Sequence, residues 1–160
     1  NFFWEVLNER QDSYGGSIKN RTKFATDIVQ SILNKVGKNF IIGLRFSQWK
    51  QQDYEAKLVH SPSELEAFIK PLKSSGIDFL HTSMRRFWEP EFEGSEDNLA
   101  SWTKSISGLP TISVGSIGLN KDFLETILWD KPAMSAKPES INRVLSDIEG
   151  GTYEQIKDKR

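Results

Sequence analysis

The chain has 160 residues, of which 37% are hydrophobic and 27% are charged, and its net charge is −1. These values are typical of one soluble domain with a sizeable core, and they argue against nucleic acid or a membrane as the main partner. The absence of cysteine excludes disulfides and cysteine zinc sites. No apolar run is long enough to span a bilayer and no signal peptide is recognisable, so we expect a cytoplasmic protein.

The first half of the chain predicts a helix, a strand and a second helix. Apolar residues recur at helical spacing over 17–36. The run NFIIGLRFS at 39–47 is short and apolar, which is typical of a buried strand. After a polar loop, the segment 61–76 opens with a capping box at Ser61 and predicts a helix that Pro71 kinks or ends.

The second half continues the alternation of strands and helices. Its predicted elements are strands at 77–83 and 109–118, helices at 98–106, 120–128 and 138–149, and the start of a further strand at 150–156. The first three strands begin roughly 30–40 residues apart, which is the size of one βα unit. Successive βα units predict a parallel sheet under helices. Two architectures fit this pattern: a doubly wound open sheet, or part of a (β/α)8 barrel, which needs about 250 residues when complete.

Candidate binding residues stand at the carboxyl ends of the predicted strands, where both architectures place their sites. Arg45 lies inside an apolar strand, so it needs either an acid as a salt-bridge partner or an anionic or carbonyl-rich ligand. Gly115, Ser116 and Gly118 form a glycine turn after a strand. Backbone amides of such a turn can cradle a phosphate, although glycine turns also end strands for steric reasons.

Histidine and aromatic residues give two further candidates. His81 stands at a strand end, either as a ligand contact or as a histidine satisfied within the strand, whereas His60 is expected at the surface. The loop 84–94 contains Arg86 and Trp88 and either covers a flat aromatic ligand or closes an edge of the core. We find no metal-ligand spacing, nucleophile elbow or P-loop, so the sequence predicts no metal site and no catalytic residue.

Four segments together resemble Old Yellow Enzyme-type NADH:flavin oxidoreductases. NERQDSYGGSIKNRTKF resembles the signature N-x-R-x-D-x-Y-G-G-S-x-x-N-R-x-x-F, GLRFS the fifth barrel strand, IDFLHTS the sixth, and PTISVGSIG the seventh with its FMN phosphate loop. The resemblance implies a partial (β/α)8 barrel, roughly strands five to eight with their helices. Residues 1–160 would form a single fragment, the C-terminal half of an FMN-binding barrel domain.

The resemblance also implies a cofactor and a reaction. Arg45 would face the pyrimidine edge of the flavin, Gly115 and Ser116 would donate amides to the FMN phosphate, and the loop with Arg86 and Trp88 would border the substrate mouth. FMN would be the cofactor and NAD(P)H the reductant. The implied reaction is hydride transfer to an activated alkene such as an α,β-unsaturated carbonyl compound.

Some parts of the family pattern do not occur in this chain. The substrate clamp, the proton-donating tyrosine and strands one to four would precede residue 1, and no Gly-Arg pair follows GGTYEQI. In the first motif, Asp12, Asn20 and Arg21 would tie the YGGS loop to the following helix. A half-barrel leaves strand edges and interior open, so we expect self-association or a complementary half-barrel as a partner besides the small-molecule substrate.

Two alternatives to this function stay open. The chain is a catalytically inactive half-barrel acting as a structural or assembly module, or it is an unrelated phosphate-binding α/β domain. Bound FMN, visible as yellow colour, would separate the oxidoreductase from both alternatives.

Overall fold

The structure, a computed structural model, describes residues 2–50, 53, 55–119 and 141–149. A 3₁₀ helix at Glu5–Leu7 is followed by α1 (Ile18–Val36), β1 (Gly43–Ser47), α2 (Pro62–Ser74), β2 (Phe79–Ser83), α3 (Leu99–Ser107), β3 (Thr111–Val114) and α4 (Asn142–Glu149). The predicted helix at 120–128 and strand at 150–156 lie outside the described residues. No helix in the described part is long and apolar enough to cross a bilayer. A cytoplasmic location stays a prediction.

Helix α2 begins at the predicted capping signal. The Ser61 hydroxyl accepts a hydrogen bond from the backbone N–H of Glu64 at 3.3 Å, and the Glu64 carboxylate accepts one from the N–H of His60 at 2.7 Å. The first bond satisfies an N–H group that the first helical turn leaves without a partner, and the second ties the residue before the cap to the helix. The helix continues past Pro71 to Ser74, so the proline does not end it.

The first strand is shorter than the predicted run 39–47. The backbone N–H of Asp78 donates to the carbonyl of Ile42 at 2.7 Å, and the Asp78 carboxylate accepts from the N–H of Ile42 at 2.8 Å. This pair of bonds precedes both β1 and β2. Phe40 and Ile41 lie before it and are 56% and 70% exposed, so the prediction that they belong to a buried strand is wrong.

The three strands form one parallel sheet in the order β1-β2-β3. Arg45 of β1 is paired with His81 of β2, and His81 with Ile112 of β3. Helices α2 and α3 lie on the same face of the sheet, and α2 contacts both α1 and α3. A doubly wound sheet reverses its strand order and covers both faces with helices. Within the described residues the sheet shows neither feature.

The core lies between the sheet and these helices. The ring of Phe68 on α2 meets Phe46 of β1 and Phe3 of the N-terminal segment, with both pairs of ring centroids 5.1 Å apart. Fully buried aliphatic side chains surround the Phe68 ring: Leu65, Ile69, Leu72, Leu80 and Leu99. This face of the sheet is therefore closed and apolar.

The opposite face, here called the open face, carries Gly43 and Arg45 of β1 and their paired residues Phe79 and His81 of β2. A Cβ atom on Gly43 would stand 2.0 Å from the ring of Phe79, so that ring lies across the glycine. Arg45 is exposed, and Val114 at the end of β3 is 39% exposed. No described helix covers this face, and the candidate site lies at its carboxyl end.

Candidate functional site

The loop before α1 is held by the buried Arg21. Its Nε donates to the carbonyl of Phe3 at 2.9 Å, and its Nη1 donates to the carbonyl of Gly16 at 2.5 Å. The exposed carboxylate of Glu5 lies 3.4 Å from Nη1. The expectation that Arg21 ties this loop to the helix is confirmed, and its role here is structural.

The other residues of the first motif act differently from the expectation. Asp12 binds within the loop: its carboxylate accepts from the N–H of Tyr14 at 3.0 Å and pairs with the side chain of Arg10. The side chain of Asn20 makes no hydrogen bond to any described residue. Asn8, which sequence reasoning missed, donates to two loop carbonyls at 2.7 Å each. Asn8 therefore joins the N-terminal segment to the loop, whereas Asn20 was expected to join the loop to α1.

Arg45 presents an exposed guanidinium on the open face. Its Nη2 donates to the hydroxyl of Ser83 at 3.3 Å. No carboxylate of the described residues lies within ion-pair distance of Arg45. The salt-bridge explanation for this arginine therefore has no support in the described part of the chain. A cation whose hydrogen-bond partner is a neutral hydroxyl can bind an anionic or carbonyl-rich ligand.

His81 lies beside Arg45 in the sheet register. Its Nε2 is buried and has no hydrogen-bond partner among the described residues, so the prediction of a satisfied strand histidine is wrong for that nitrogen. Burial and, secondly, the neighbouring Arg45 guanidinium lower the pKa of His81 below its ordinary value of 6.5. The imidazole is therefore neutral at pH 7. His60 is exposed, as expected.

The glycine turn after β3 has two physical reasons for its sequence. A Cβ atom on Gly115 would stand 2.8 Å from the carbonyl oxygen of Met84, so close packing alone requires glycine there. Ser116 has a φ of 53°, in the left-handed region. The backbone N–H groups of Gly115 and Ser116 donate to no other described residue, so they remain available to a ligand.

The loop after β2, residues 84–94 and here called the wall, is held in place by aromatic residues that pack into the core. Phe87 and Phe92 are buried in the core, and Trp88 packs against it. Arg86 forms an ion pair with Glu89, with 2.6 Å between Nη1 and Oε1. Phe87 and Phe92 support the interpretation in which this loop closes an edge of the core. Arg86 and Trp88 remain partly exposed on it.

A buried polar pair that sequence reasoning missed joins this wall to the loop after β1. Gln48 donates to Glu91 at 2.9 Å and accepts from the N–H groups of Leu58 and Val59 at 3.1 Å each. Burial raises the pKa of Glu91 above its usual 4.5, while the bond from Gln48 and the charge of Lys57 oppose that rise. The sequence signal for this contact was the amide side chain of Gln48, directly after a strand and within a polar segment.

These residues share one edge of the sheet. Ser47, Ser83 and Val114 end the three strands side by side, which places Arg45 and the turn at Gly115 on that edge. Among the described residues, no group of His, Asp or Glu side chains is placed to hold a metal ion. The edge offers an exposed guanidinium and, in the turn at Gly115, backbone amides that no described residue uses, which suits an anionic or carbonyl-rich ligand.

A family model described as the NADH:flavin oxidoreductase / NADH oxidase family matches residues 1–132. The chain belongs to this family. A probable inactive reductase, easA, from Epichloe festucae var. lolii is 31% identical over 90 residues, which cover 56% of this chain and 23% of that protein. An NADH oxidase from Thermoanaerobacter brockii is 33% identical over 166 aligned positions, covering 87% of this chain and 25% of the oxidase.

One further relative and one solved structure are also similar to this chain. A cinnamate reductase from Clostridium sporogenes is 35% identical over 91 residues, covering 50% of this chain and 14% of that protein. The chain thus spans about a quarter or less of these relatives. An Old Yellow Enzyme homologue from Zymomonas mobilis superposes with a TM-score of 0.62 over 95% of this chain and 36% of its own, at 16% identity. At that identity, the superposition shows the fold.

The residues at the edge fit the flavin that the family uses. A flavin carries a carbonyl-rich ring system, and a flavin nucleotide adds a phosphate. The exposed Arg45 suits the ring carbonyls, because its guanidinium is a charged donor without an acidic partner in the described residues. The unused amides of Gly115 and Ser116 suit a phosphate. The family match also removes the alternative of an unrelated phosphate-binding domain.

Proposed function

We propose that this chain is part of an FMN-dependent NAD(P)H oxidoreductase of the ene-reductase type. Its substrates would be activated alkenes such as α,β-unsaturated carbonyl compounds. The family description, which names NADH and flavin, and the similarity to a cinnamate reductase support this proposal, since cinnamate has a carbon–carbon double bond conjugated to a carboxylate. The observation that carries it is the exposed Arg45 guanidinium at the carboxyl edge of a parallel sheet.

We assign β1, β2 and β3 to strands five, six and seven of a (β/α)8 barrel. The sequential strand order, the helices on one face and the fold similarity support this assignment. In such a barrel the open face is interior, and the exposed Arg45 and Val114 on it would be enclosed by further strands. Those strands would come from more of the same polypeptide, from a complementary half-barrel or from a second copy.

In this proposal each site residue has a binding role. Arg45 would hold the pyrimidine edge of the flavin, and its charge would favour the reduced, anionic ring. Gly115 and Ser116 would donate their amides to the phosphate. Arg86 and Trp88 would line the substrate mouth. When bound, FMN would supply a hydride relay from NAD(P)H to the alkene, and we assign no proton donor to this chain.

The test is FMN titration of the protein with its complete barrel. Loss of a charge-assisted contact is worth about 1.5–3 kcal/mol, so Arg45→Ala should weaken FMN binding about 10- to 150-fold and lower the flavin potential. Lys38→Ala removes an equally exposed charge between α1 and β1 and should change neither quantity. Unchanged affinity and potential in Arg45→Ala would remove Arg45 from the site.

A second measurement addresses the phosphate. If the turn at Gly115 and Ser116 binds it, FMN should bind more tightly than riboflavin, which lacks the phosphate. Equal affinities would reject the turn as a phosphate site while leaving the Arg45 result readable. Substitution of Gly115 cannot replace this measurement, because a side chain there meets the Met84 carbonyl whether or not a ligand binds.

The second candidate function is an inactive structural or assembly module. The similarity to a probable inactive reductase favours it. Such a module would purify colourless, would not bind FMN and would not oxidise NADH. Those three results together would replace the oxidoreductase proposal with this one.

A further inference from the structure

Gln48 and Glu91 form a contact that neither the core nor the flavin site requires. Gln48 directly follows the last residue of β1, and Glu91 lies in the loop between β2 and α3. The Gln48 side chain is 4% exposed, and both its amide nitrogen and its oxygen are used. The nitrogen donates to Glu91 Oε1 at 2.9 Å and to the carbonyl of Val59 at 2.5 Å, while the oxygen accepts from the N–H groups of Leu58 and Val59.

The loop that carries Glu91 is anchored to the strand on its other side. The N–H of Met84 donates to the carbonyl of Val114 at 2.8 Å, and the N–H of Phe87 donates to the carbonyl of Gly115 at 3.0 Å. Asn98 donates from its side chain to the carbonyl of Phe87 at 2.7 Å. The loop therefore spans the ends of all three strands, and the bond from Gln48 to Glu91 is one of its contacts on the β1 side.

The charge on Glu91 adds a second connection. Lys57 Nζ lies 3.5 Å from Glu91 Oε1 and donates to the Glu91 carbonyl at 3.1 Å. The Glu91 side chain is only 13% exposed, and a buried carboxylate is costly unless it is paired. Glu89, an acid two residues away, is itself paired with Arg86. Glu91 thus joins the two loops, because its carboxylate accepts from Gln48 and its backbone carbonyl accepts from Lys57.

We propose that Glu91 and Gln48 are positioning residues, a latch that fixes the β1–α2 loop against the β2–α3 loop and so shapes the mouth of the site for the nicotinamide reductant and the alkene. The inference rests on the proposed function for its effect on ligands. The latch joins the backbone three residues after Arg45 to the segment with Arg86 and Trp88. Releasing it lets the wall move relative to the residue proposed to hold the flavin.

The test compares three variants in the flavin-loaded protein. Glu91→Ala removes the acceptor, Glu91→Gln keeps an acceptor for Gln48 without the charge, and Glu93→Ala changes an exposed acid of the same loop. Rapid-mixing kinetics of flavin reduction by NADH give the NADH dissociation constant and the limiting rate separately. Hydrogen exchange at the amides of Leu58 and Val59 reports the latch with or without flavin.

We expect Glu91→Ala to raise the NADH dissociation constant about fivefold, the value of one hydrogen bond, with an unchanged flavin potential. Exchange at Leu58 and Val59 should become faster in the same variant. Glu91→Gln and Glu93→Ala should behave as the wild type in both measurements. A purely structural role would speed exchange and leave the dissociation constant unchanged, and that result would overturn the proposal.

Two other outcomes would also overturn the latch. Unchanged exchange in Glu91→Ala would show that the contact does not hold the loops, and a Glu91→Gln variant as impaired as Glu91→Ala would assign the effect to charge. Failure of the wild-type protein to bind FMN is a separate result, since it counts against the proposed function and leaves the exchange measurement interpretable.

Discussion

The two faces of the sheet differ in what covers them and in the side chains they carry. On the helix-covered face, Phe46 and Leu80 meet the buried side chains of α2 and α3, and the aromatic ring of Phe68 is fully enclosed. The open face carries Arg45 beside a histidine with an unpaired nitrogen, and no described helix lies over it. The same three strands therefore hold the fold together on one side and present chemistry on the other.

This difference shows where mutations should act on stability and where they should act on binding. Removing a side chain from the closed face creates a cavity in a dry core. Changing a polar residue on the open face alters charge and hydrogen bonding where a ligand would sit. Arg45→Ala, described above, tests the binding side of this division. The four predictions that follow test stability, on both faces and in the loop that carries Glu91, beginning with the largest expected effect.

Phe68→Ala should lower the free energy of unfolding by about 3–5 kcal/mol, because it empties a site lined by Phe3 and Phe46. Urea denaturation followed by circular dichroism measures the change. Phe40→Ala, which truncates an exposed ring at the other end of β1, should cost less than about 0.5 kcal/mol. Equal losses for the two variants would contradict the closed core.

Gly43→Ala should destabilise the protein by about 1–3 kcal/mol, since the new methyl group would stand within the ring of Phe79. The ring is the obstacle, so the substitution should cost much less in a Phe79→Ala background. A double-mutant cycle measured by denaturation gives this coupling. Additive losses would mean that the ring does not lie across Gly43.

His81 should make the protein less stable as the pH falls. Its folded pKa is lowered below 6.5, so in acid the unfolded chain binds a proton that the folded chain refuses. Stability is therefore lost as the pH drops through and below 6.5, and His81→Leu should reduce this loss. His60→Leu, which removes the other histidine at an exposed position, is the control. Unfolding free energies measured between pH 5 and about 8 test the sign.

Glu91 should act in the opposite direction. Its folded pKa is raised above 4.5, so the folded chain binds a proton more readily than the unfolded chain. This carboxyl therefore favours folding as the pH falls towards 4.5, and Glu91→Gln should flatten that part of the profile. Thermal melting across this pH range is the measurement, and Glu93→Gln on the same loop is the control. A steeper profile in Glu91→Gln would reverse the sign that burial predicts.

Local sequence signals were sufficient for the parts of the fold that depend on neighbouring residues. Ser61 accepts a hydrogen bond at the first turn of α2, as its position predicted, and Ser17 does the same at the first turn of α1. The ends of β1 were harder to place, because the start of that strand depends on Asp78. An apolar run such as 39–47 does not reveal where a later segment will begin to pair with it.

The candidate site likewise contains residues that the sequence predicts and contacts that it does not. Arg45 could be selected from its position in a strand, and the glycine turn from its composition. The bond between Gln48 and Glu91 joins residues 43 positions apart, and neither residue type signals burial. The unpaired nitrogen of His81 depends on what surrounds it in three dimensions. Sequence reasoning therefore finds ligand-type residues at strand ends and misses the polar contacts that position them.

The sequential order of the three strands also bears on how the chain acquires its structure. Each strand is paired with the strand that precedes or follows it in the chain, and each crossover helix contacts the neighbouring helix. Native contacts are therefore concentrated between adjacent βα units, although each parallel strand pairing closes a stretch of more than 30 residues (Gly43 with Phe79, Leu80 with Thr111) and so forms more slowly than a local contact. A growing polypeptide emerges from the ribosome amino end first. The β1–α2–β2 unit can consequently form during synthesis and serve as the template on which β3 is added.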